Sequence, residues 1–514
     1  MNQARPPGWT IVRVGDLVKL DNGFAFKPTD WKKSGLPIIR IQNLNNPEAA
    51  YNYCDREVPV RVLVSPGDLL FAWSGTPGTS FGAHIWRGEK AVLNQHIFNV
   101  RFDDGSIDRK FLRLAINQNL VEYIRAAHGG AGLAHITKGR FEQSQLLLPP
   151  LHEQIRIVAK IEELFSDLDA GVAALERVRA NLKRYRAAVL KAAVEGHLTK
   201  EWRKQHPATE AAVKLLERIL AERRAKWEQD QLRKFKEAGK TPSKGWKEKY
   251  EEPGASSNDA GTLLPPTWCW ATLEQLTIRG PQNGVYYPKS QYGRGTPIIR
   301  IDDYQNDSSR TASELQLVEA PAADVETYGV RVGDIIINRV NSITHLGKCL
   351  VIEPKHLPAV FESNMMRQSL ASDVVPTFAA LYLKSGVGNS RLIANAKWAV
   401  NQASINQTDV GNTPVPLPPF AEQAEIVAEV DRRLSVAAAA EQQVEHALQR
   451  ASRLRQAILK RAFEGKLVPQ DPSDEPAAAL LARAKASSNG HRAVIKTSVE
   501  PHATPTKRRS RARA

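Results

Sequence analysis

The chain has 514 residues, enough for three or four structural units at roughly 150 residues each. Hydrophobic residues make up 42% and charged residues 25%, which excludes a mostly disordered, collagen-like or membrane-embedded protein. Lysine and arginine outnumber aspartate and glutamate by 71 to 55, and the net charge of +16 favours a polyanionic partner such as nucleic acid. A basic surface with a disordered basic tail is the alternative explanation of this charge.

Cysteine usage and hydropathy predict the compartment. Cys54, Cys269 and Cys349 are too few and too widely separated for a disulfide framework. Residues 1–10 lack the apolar core of a signal peptide, and no run approaches the ~18 apolar residues of a membrane span. We therefore expect a soluble, cytoplasmic protein.

The sequence contains a tandem repeat. Five motifs recur in the same order, at an offset that grows from 259 to 269 residues. They are Pro6–Trp9 with Pro265–Trp268, Gly35–Ile41 with Gly295–Ile301, Gly67–Leu70 with Gly333–Ile336, Leu148–Gln154 with Leu417–Gln423, and Ala188–Gly196 with Ala457–Gly465. Matches in a constant order indicate a duplication in which the second copy carries small insertions.

Each copy begins with a domain, residues 1–148 and 263–416. Both segments are rich in short apolar runs separated by Gly, Pro, Asn and Asp, which is typical of strands and turns. Helices are predicted within them at Arg109–Ala126 and Val375–Ser385. The pattern therefore predicts α+β domains.

Each domain continues into a long predicted helix, Leu151–Glu195 in segment 149–199 and Phe420–Glu464 in segment 417–468. A proline pair stands at each start, where a missing N–H is harmless, and Gly196 and Gly465 follow the ends as left-handed caps. Apolar residues recur at spacings of three and four along both helices, which favours a coiled coil. The two helices are best joined compactly if they pack against each other antiparallel.

Two further segments are strongly charged. Residues 200–262 form an insert whose stretch 208–240 has a helical apolar period, so we predict a charged helix or helical hairpin followed by a linker at Gly254–Gly261. Both a solvated spacer and a partner-docking helix stay open for this insert. Residues 469–514 predict a basic, disordered tail that ends in five basic residues between Lys507 and Arg513.

Catalytic signatures are missing from the sequence. Leu148–Leu151 and Leu417–Phe420 resemble the Asn/Asp-Pro-Pro-Tyr/Phe motif of amino-methyltransferases, but leucine replaces the amide or acid that the chemistry requires. Asp334 with Glu353–Lys355 mimics a nuclease triad, yet the first copy keeps only Asp68, which favours a role in a strand turn. No phosphate-binding loop or zinc-ligand spacing occurs. We predict no catalytic residue, bound cofactor or metal.

The paired helix motifs resemble a known family. Both helices open with Leu-Pro-Pro-x-x-Glu-Gln, at Leu148 and Leu417, and close with Leu-Lys-x-Ala-x-Glu-Gly, at Leu190 and Leu459. In this, residues 6–468 are similar to the specificity (S) subunits of type I restriction–modification systems.

The resemblance implies a non-catalytic, DNA-recognising scaffold. Residues 1–148 and 263–416 would be target recognition domains, each for one part of a split, asymmetric site in double-stranded DNA. The two helices would form an antiparallel spacer that docks two modification subunits, which bind S-adenosylmethionine and methylate adenine. Restriction (translocase–nuclease) subunits would join them, so that S-adenosylmethionine, ATP and Mg are expected on partner subunits and not on this chain.

Candidate DNA-binding residues are polar side chains in loops that follow apolar strands. Base edges attract Arg, Lys, Asn and Gln, whereas phosphates attract Lys, Arg and hydroxyl groups. The candidates of the first copy are Lys19, Asn22, Lys27, Arg40, Gln42, Asn43, Ser74, Asn94, Gln95, His96, Lys138 and Arg140. Those of the second copy are Gln282, Asn283, Tyr286, Tyr287, Lys289, Arg300, Asn338, Arg339, Asn341, Ser342, Asn364, Arg367, Asn401 and Gln402. An ordinary surface or turn role is the alternative for each of them, and Arg40 and Arg300, present in both copies, suit a shared structural or phosphate role.

Two other functions share part of this pattern. A stand-alone regulator that binds a split operator would have the same charge and repeats, but would bind DNA tightly without partners. A self-contained nuclease or methyltransferase would need the missing catalytic signatures. The target bases do not follow from the sequence, because recognition loops have no transferable code.

Overall fold

The computed structural model describes residues 5–46, 48–75, 79–120, 123, 134–207, 209–256, 263–305, 308–342, 344–400 and 402–483. The chain divides into two compact units, residues 1–175 with 447–514 and residues 176–446. Each unit thus holds one α+β domain together with one part of each long helix. Asn401, residues 257–262 of the predicted linker and residues 484–514 of the predicted tail lie outside the described residues.

The first domain contains short strands and four short helices among its described residues. The strands are β1 (Thr10–Arg13), β2 (Lys19–Asn22), β3 (Leu36–Ile39), β4 (Asn52–Cys54), β5 (Leu63–Val64), β6 (Leu69–Ala72), β7 (Ser74–Gly75), β8 (Gly82–Ile85), β9 (Ala91–Leu93), β10 (Ile97–Arg101), β11 (Ala134–His135) and β12 (Gln145–Leu148). The helices are α1 (Val14–Leu17), α2 (Ile41–Asn45), α3 (Arg109–Gln118) and α4 (Lys138–Gln143). The first long helix, α5 (Leu151–Val194), and the insert helices α6 (Lys200–Gln205) and α7 (Ala212–Glu237) follow.

The second domain has a similar order of elements with additional strands and helices. Its strands are β13 (Cys269–Thr272), β14 (Thr277–Asn283), β15 (Tyr292–Ile299), β16 (Tyr304–Gln305), β17 (Ser308–Ser309), β18 (Gln316–Val318), β19 (Ile335–Asn338), β20 (Val340–Asn341), β21 (Cys349–Val351), β22 (Val360–Phe361), β23 (Met365–Leu370), β24 (Lys397–Ala399), β25 (Gln402–Ser404) and β26 (Pro414–Leu417). Its helices are α8 (Leu273–Leu276), α9 (Ala322–Tyr328), α10 (Pro376–Lys384), α11 (Gly386–Leu392) and α12 (Gln407–Gly411), followed by the second long helix, α13 (Phe420–Phe463). Short 3-10 turns occur at Pro28–Asp30, Val60–Val62, Trp246–Lys249, Lys289–Gln291, Ala312–Glu314 and Pro354–His356.

The inner strands β6 and β19 are buried on both faces. In the first domain the sheet order is β2-β10-β6-β8, and in the second it is β14-β23-β19-β21. Because successive side chains of a strand point to opposite faces, Leu69 and Phe71 of β6 enter one core cluster while Leu70 and Ala72 enter another. This explains the unbroken apolar runs at Leu69–Ala72 and Ile335–Ile337 in the sequence.

Each domain is joined to its long helix by the same clamp of side chains. The proline pair starts the helix, and the glutamate and glutamine that follow it are buried. Each glutamate accepts a bond from an indole N–H of its own domain, and each glutamine accepts one from a backbone amide. The bonds are Trp9 to Glu153 and Trp268 to Glu422, both 2.9 Å, and the amides of Asp108 to Gln154 and of Val375 to Gln423, both 2.8 Å. The two motifs that repeat in sequence, Pro-Pro-x-Trp and Pro-Pro-x-x-Glu-Gln, are therefore two sides of one junction.

The long helices begin where the prolines predict and end one residue earlier than predicted. Gly196 and Gly465 follow with φ of 74° and 66°, the left-handed conformation that a helix cap requires and that favours glycine. Of the helix predicted at Arg109–Ala126, α3 covers Arg109–Gln118, and Leu120 and Tyr123 are helical as well, while residues 121–122 and 124–126 lie outside the described residues. The predicted helix at Val375–Ser385 corresponds to α10, Pro376–Lys384.

The helices α5 and α13 pack together antiparallel, as predicted. In the second unit, the Arg186 guanidinium binds both carboxylate oxygens of Glu441 at 2.9 Å, while Ala193, later in α5, shares a buried cluster with Ile426, earlier in α13. In the first unit, Arg455 of α13 pairs with Asp169 of α5. The coiled-coil prediction is confirmed.

The charged insert packs onto the second domain. Ala212, Leu215 and Ile219 of α7 are buried in the core cluster of that domain, and Arg223 donates to the carbonyl oxygen of Glu274 at 2.8 Å. Farther along, Trp227 stacks on Trp246, with 5.9 Å between ring centroids. The first half of α7 is therefore no solvated spacer.

The segment after the second long helix is ordered where the structure describes it. Asp474 pairs with Arg156 at 2.6 Å, Gln470 donates to Glu153 at 2.6 Å, and the amide of Ala477 donates to the carbonyl oxygen of Gly8 at 3.0 Å. Residues 469–483 thus pack on the first domain, which differs from the disordered tail expected there. Within the described part of the chain, no helix combines the length and apolar character that crossing a membrane requires.

Candidate nucleic-acid interface

The loops at one end of the sheets cross in the same way in both domains. Four backbone hydrogen bonds of the first domain recur between equivalent residues of the second. They are Phe24 to Leu93 and Val285 to Phe361, Asn94 to Ile39 and Glu362 to Ile299, Trp73 to His96 and Arg339 to Asn364, and Ile136 to Trp73 and Ile405 to Arg339, all of 2.7–3.3 Å. We call each of these places a loop crossing. Several of the predicted candidates, among them Asn94, His96, Arg339 and Asn364, fall at these two crossings.

The first loop crossing holds a cleft of about 280 Å³. Five predicted candidates line it: Arg40, Gln42, Asn94, Gln95 and His96. The exposed ring of Trp31 also lines it, and the Arg40 guanidinium lies 5.3 Å from that ring's centroid. Amide and guanidinium groups beside an aromatic face are suited to hydrogen bonds with base edges and to stacking.

Trp73, which the sequence did not single out, takes part in two of the backbone bonds of the first crossing. The rings of His96 and His135 lie 5.2 and 4.9 Å from its own. Its Nε1 is buried without a partner among the described residues, as is Nδ1 of His96. Buried polar atoms without partners are rare in native proteins, and His96, which carries one of these two, also lines the cleft.

The second crossing has Arg339 where the first has Trp73. The buried Nε atoms of Arg339 and Arg300, Oδ1 of Asn283 and Oε2 of Glu362 have no partner in the part of the chain that the structure describes. Burial, the largest cause, raises the pKa of the Glu362 carboxyl. The two crossings therefore share a backbone but offer different polar groups.

A hairpin formed by β24 and β25 stands beside the second crossing. It pairs with β20 through Val340 and Asn341. Its outer residues Lys397 and Ala399 are exposed, Trp398 is 70% exposed and Val400 is 98% exposed. Tyr286, a predicted candidate, is 74% exposed in the crossing itself. Large apolar side chains in such exposed positions are typical of a surface that binds a partner.

Five of the predicted residues are buried and are removed from the candidate set. Asn43 accepts from the amide of Arg40 as a helix cap, Ser74 lies inside β7, and the Tyr287 hydroxyl donates to Asp324 at 2.8 Å. Asn338 accepts from the Tyr304 hydroxyl. Arg367 donates to the carbonyl oxygen of Gly329 at 2.9 Å, and burial lowers its pKa to about 10. These five side chains are buried and bonded within the fold or enclosed by it.

The other candidates lie at or near the surface. The exposed ones are Lys19, Asn22, Lys27, Gln42, Gln95, Lys138, Arg140, Tyr286, Lys289 and Gln402. The half-buried ones are Arg40, Asn94, His96, Gln282, Asn283, Arg300, Arg339, Asn341, Ser342 and Asn364. Lys138 does not join the cleft, because its ammonium group donates to the carbonyl oxygen of Leu20 at 3.0 Å.

The sequence features that mimic catalytic sites have structural roles. Asp334 accepts from the amide of Arg331 at 2.8 Å and from the Ser369 hydroxyl at 2.5 Å, which is a turn function. Burial raises the pKa of the Cys349 thiol to about 11, so that thiol is not activated. Among the described residues, no three His, Cys, Asp or Glu side chains come together in a way that could hold a metal ion.

Comparison with known proteins agrees with this architecture. Residues 6–177 match the family described as the type I restriction modification DNA specificity domain. The chain is 28% identical to the type I restriction enzyme EcoBI specificity subunit of Escherichia coli, covering 93% of this chain and 92% of that protein. It is 26% identical to the EcoKI specificity subunit of Escherichia coli K12, with coverages of 96% and 99%.

A solved chain from a study of complex assembly and conformational transition in the type I restriction–modification system shares the fold. Its TM-score is 0.57 at 20% identity, covering 90% of this chain and all of that one. Two α+β domains with variable loop crossings, each continued by a long helix of one coiled coil, define a class of duplicated scaffold proteins. Within that class, this chain is similar over more than nine-tenths of its length to specificity subunits of type I restriction–modification systems.

Proposed function

We propose that the chain is the DNA sequence-recognition subunit of a type I restriction–modification complex. Each domain recognises one part of a bipartite, asymmetric target in double-stranded DNA through its own loop crossing. The observation that carries the proposal is the pair of crossings, with the same backbone bonds but Trp73 in one and Arg339 in the other. Two domains with the same backbone arrangement but different side chains are suited to recognising two different half-sites.

The helices α5 and α13 are the proposed scaffold for partner subunits. Exposed apolar side chains remain on them outside the packed seam: Ile155, Val178, Tyr185, Val436 and Leu454, at 42–66% exposure. Two modification subunits, which carry S-adenosylmethionine and methylate adenine, would cover this surface, and restriction subunits with ATP and Mg would join them. In this proposal the partner subunits carry out catalysis, and this chain determines the DNA sequence at which they act.

A domain exchange tests the assignment. The chain is co-expressed with its modification subunits, and residues 265–415 are replaced by the equivalent domain of a related specificity subunit. Long-read sequencing should then show methylated sites in which one half of the target has changed and the other is retained. A change in both halves, or methylation that no longer depends on this chain, would contradict the proposal.

A stand-alone DNA-binding regulator is the competing function. It predicts tight, site-specific binding by the purified chain without partners. The specificity subunit predicts weak binding alone and a large gain in affinity on assembly, measured by electrophoretic mobility shift with and without the modification subunits.

A further inference from the structure

The first unit contains a second cleft, of about 790 Å³, away from the loop crossing. Strand β8 and the first turns of helix α3 form its walls. Tyr51, Tyr53 and Trp86 line it, together with Arg87 and Arg113 and the acidic residues Glu89 and Glu162. Tyr51 and Trp86 are in edge-to-face contact, with 6.5 Å between centroids, so the aromatic side is fixed in place.

Arg113 is the unusual member of this cleft. It is half-buried, and none of the described residues gives its guanidinium a hydrogen-bond or ion-pair partner. Burial, and then the charge of Arg87, lower its pKa. The carboxylate of Glu162 is nearby but is already bound by Lys110 at 2.8 Å. Two neighbouring guanidinium groups, one of them partly buried and unpaired, are unfavourable unless an anion binds them.

The second copy shows that the fold does not need these charges. Trp86 and Ile352 occupy equivalent positions, because their amides donate to Asp68 and Asp334 respectively, at 2.9 and 2.8 Å. By the same alignment, Arg87 corresponds to Glu353.

Helix α3 and helix α10 align through their first residues, since the amides of Asp108 and Val375 bind the equivalent glutamines. Arg113 then corresponds to Ala380, which is 2% exposed in the core of its domain. The same fold therefore packs an alanine where the first copy keeps an arginine open to a cleft. This points to a ligand of the first unit alone.

We propose that this cleft binds a mononucleotide. The phosphate would lie between the guanidinium groups of Arg87 and Arg113, whose planar donors suit phosphate oxygens. The base would lie against the phenol rings of Tyr51 and Tyr53, since every base has a face that stacks on an aromatic ring. The cleft volume is in the range of ligand-binding pockets, ~300–1,000 Å³. The proposal goes beyond target recognition and uses none of the exposed residues of the loop crossings.

The test is calorimetric titration of the full-length chain, without DNA, with AMP, inorganic phosphate and adenosine. AMP should bind saturably, and phosphate and adenosine should each bind at least about tenfold more weakly, because each offers half of the contacts. The absence of saturable heat at AMP concentrations up to about 10 mM would overturn the proposal, because a dissociation constant above that concentration is too weak for a specific site.

Two variants separate the cleft from the surface at large. Arg113→Ala introduces the residue that the second copy carries, so the fold should accept it, and AMP affinity should fall about tenfold or more. Arg61→Ala removes an exposed arginine of the same unit outside the cleft and should leave AMP binding unchanged. Equal binding by Arg113→Ala and the unchanged chain would refute the site.

A short single-stranded oligonucleotide serves as the third arm. If it binds more tightly than AMP and loses affinity in Arg113→Ala, the cleft is a nucleic-acid groove and the mononucleotide proposal is wrong. Because the DNA target is absent from all these titrations, their failure leaves the recognition function untouched.

Discussion

The two halves of the chain separate what the fold requires from what varies between copies. At the junctions, both keep a tryptophan bonded to a buried glutamate, Trp9 with Glu153 and Trp268 with Glu422. At the loop crossings, the backbone bonds are kept while Trp73 in one half becomes Arg339 in the other. The two copies can therefore be compared directly. Contacts that both copies share maintain the fold, whereas side chains that differ at equivalent positions point to a difference in function.

The largest effect is expected where both halves bury the same position. Ile161 of α5 and Val430 of α13 correspond in the repeat and are 1% and 0% exposed. Val430→Asp places a carboxylate without a partner in the core and should destabilise the chain by about 3–5 kcal/mol, with Ile161→Asp costing as much. Chemical denaturation monitored by circular dichroism measures both.

Val436→Asp is the matched control for this pair. Val436 is 66% exposed, and the first copy already has aspartate, Asp167, at the corresponding position. It should leave stability within about 0.5 kcal/mol of the unchanged chain. Equal losses in all three variants would break the correspondence between the copies.

The junction glutamates should differ, although they occupy the same place. Glu422 is fully buried and pairs with Arg203, whereas the hydrogen bonds that Glu153 accepts within the described part of the chain come from two neutral groups, Trp9 and Gln470. Glu422→Gln leaves the Arg203 charge without its partner and should cost about 2–3 kcal/mol, because breaking a buried ion pair strands the remaining charge. Glu153→Gln should cost less than about 1 kcal/mol, since a neutral amide can keep one of the two bonds. Equal costs would contradict this distinction.

Glu153 also predicts a pH dependence. Burial, the largest cause, raises the pKa of its carboxyl in the folded chain above the ordinary value of 4.5. Its contribution to stability is therefore full below pH 4.5 and is lost as the pH rises through the raised pKa. Thermal unfolding between pH 4 and pH 7 should show a smaller decline for Glu153→Gln than for the unchanged chain; an identical decline would assign the pH dependence elsewhere.

A smaller effect is expected in the second loop crossing. Trp398 is 70% exposed, so Trp398→Ala should leave the unfolding temperature unchanged but weaken target binding by the assembled complex by about 1–3 kcal/mol, the usual value of an aromatic contact with a base. Leu263→Ala, at 97% exposure in the same unit, is the control for a lost apolar surface. Fluorescence anisotropy on labelled target DNA measures both, and equal affinities for the two variants would remove the hairpin from the interface.

The smallest expected effect concerns Lys397, which is exposed on the same hairpin. If it contacts a phosphate, Lys397→Ala should reduce the magnitude of the slope of log affinity against log salt concentration by about 0.9. The reduction should be the same for all related target sequences. A change confined to one base of the target would show a base contact instead.

Much of this architecture follows from sequence because its determinants are local. Proline pairs and the glycines Gly196 and Gly465 fix the helix ends to within one residue, through a missing N–H and a left-handed cap. The sequence also predicted polar loops after apolar strands, but not that these loops cross. Which polar side chains point outward depends on the register of the strands. For that reason the sequence predicts Asn338 and Arg367 as DNA-binding candidates although both are buried.

The hairpin was missed for the opposite reason. Trp398, Ala399 and Val400 have the composition of a buried strand. They are nevertheless exposed, because β24 pairs with the short strand β25 in a hairpin that nothing in the described residues covers. Trp73 was missed likewise, because it continues the apolar run of β6. Composition alone does not tell a side chain that fills a core from one that awaits a partner.

Each domain begins and ends on one two-stranded ribbon, β1 with β12 and β13 with β26. The two ends of each domain are therefore neighbours, and the junction with the long helix does not depend on how much polypeptide lies between them. The ten residues by which the repeat offset grows, from 259 to 269, are all gained inside the second domain. If the proposed function holds, exchanging the segment between the two ends of one ribbon replaces one recognition domain and leaves its junction with the helix unchanged.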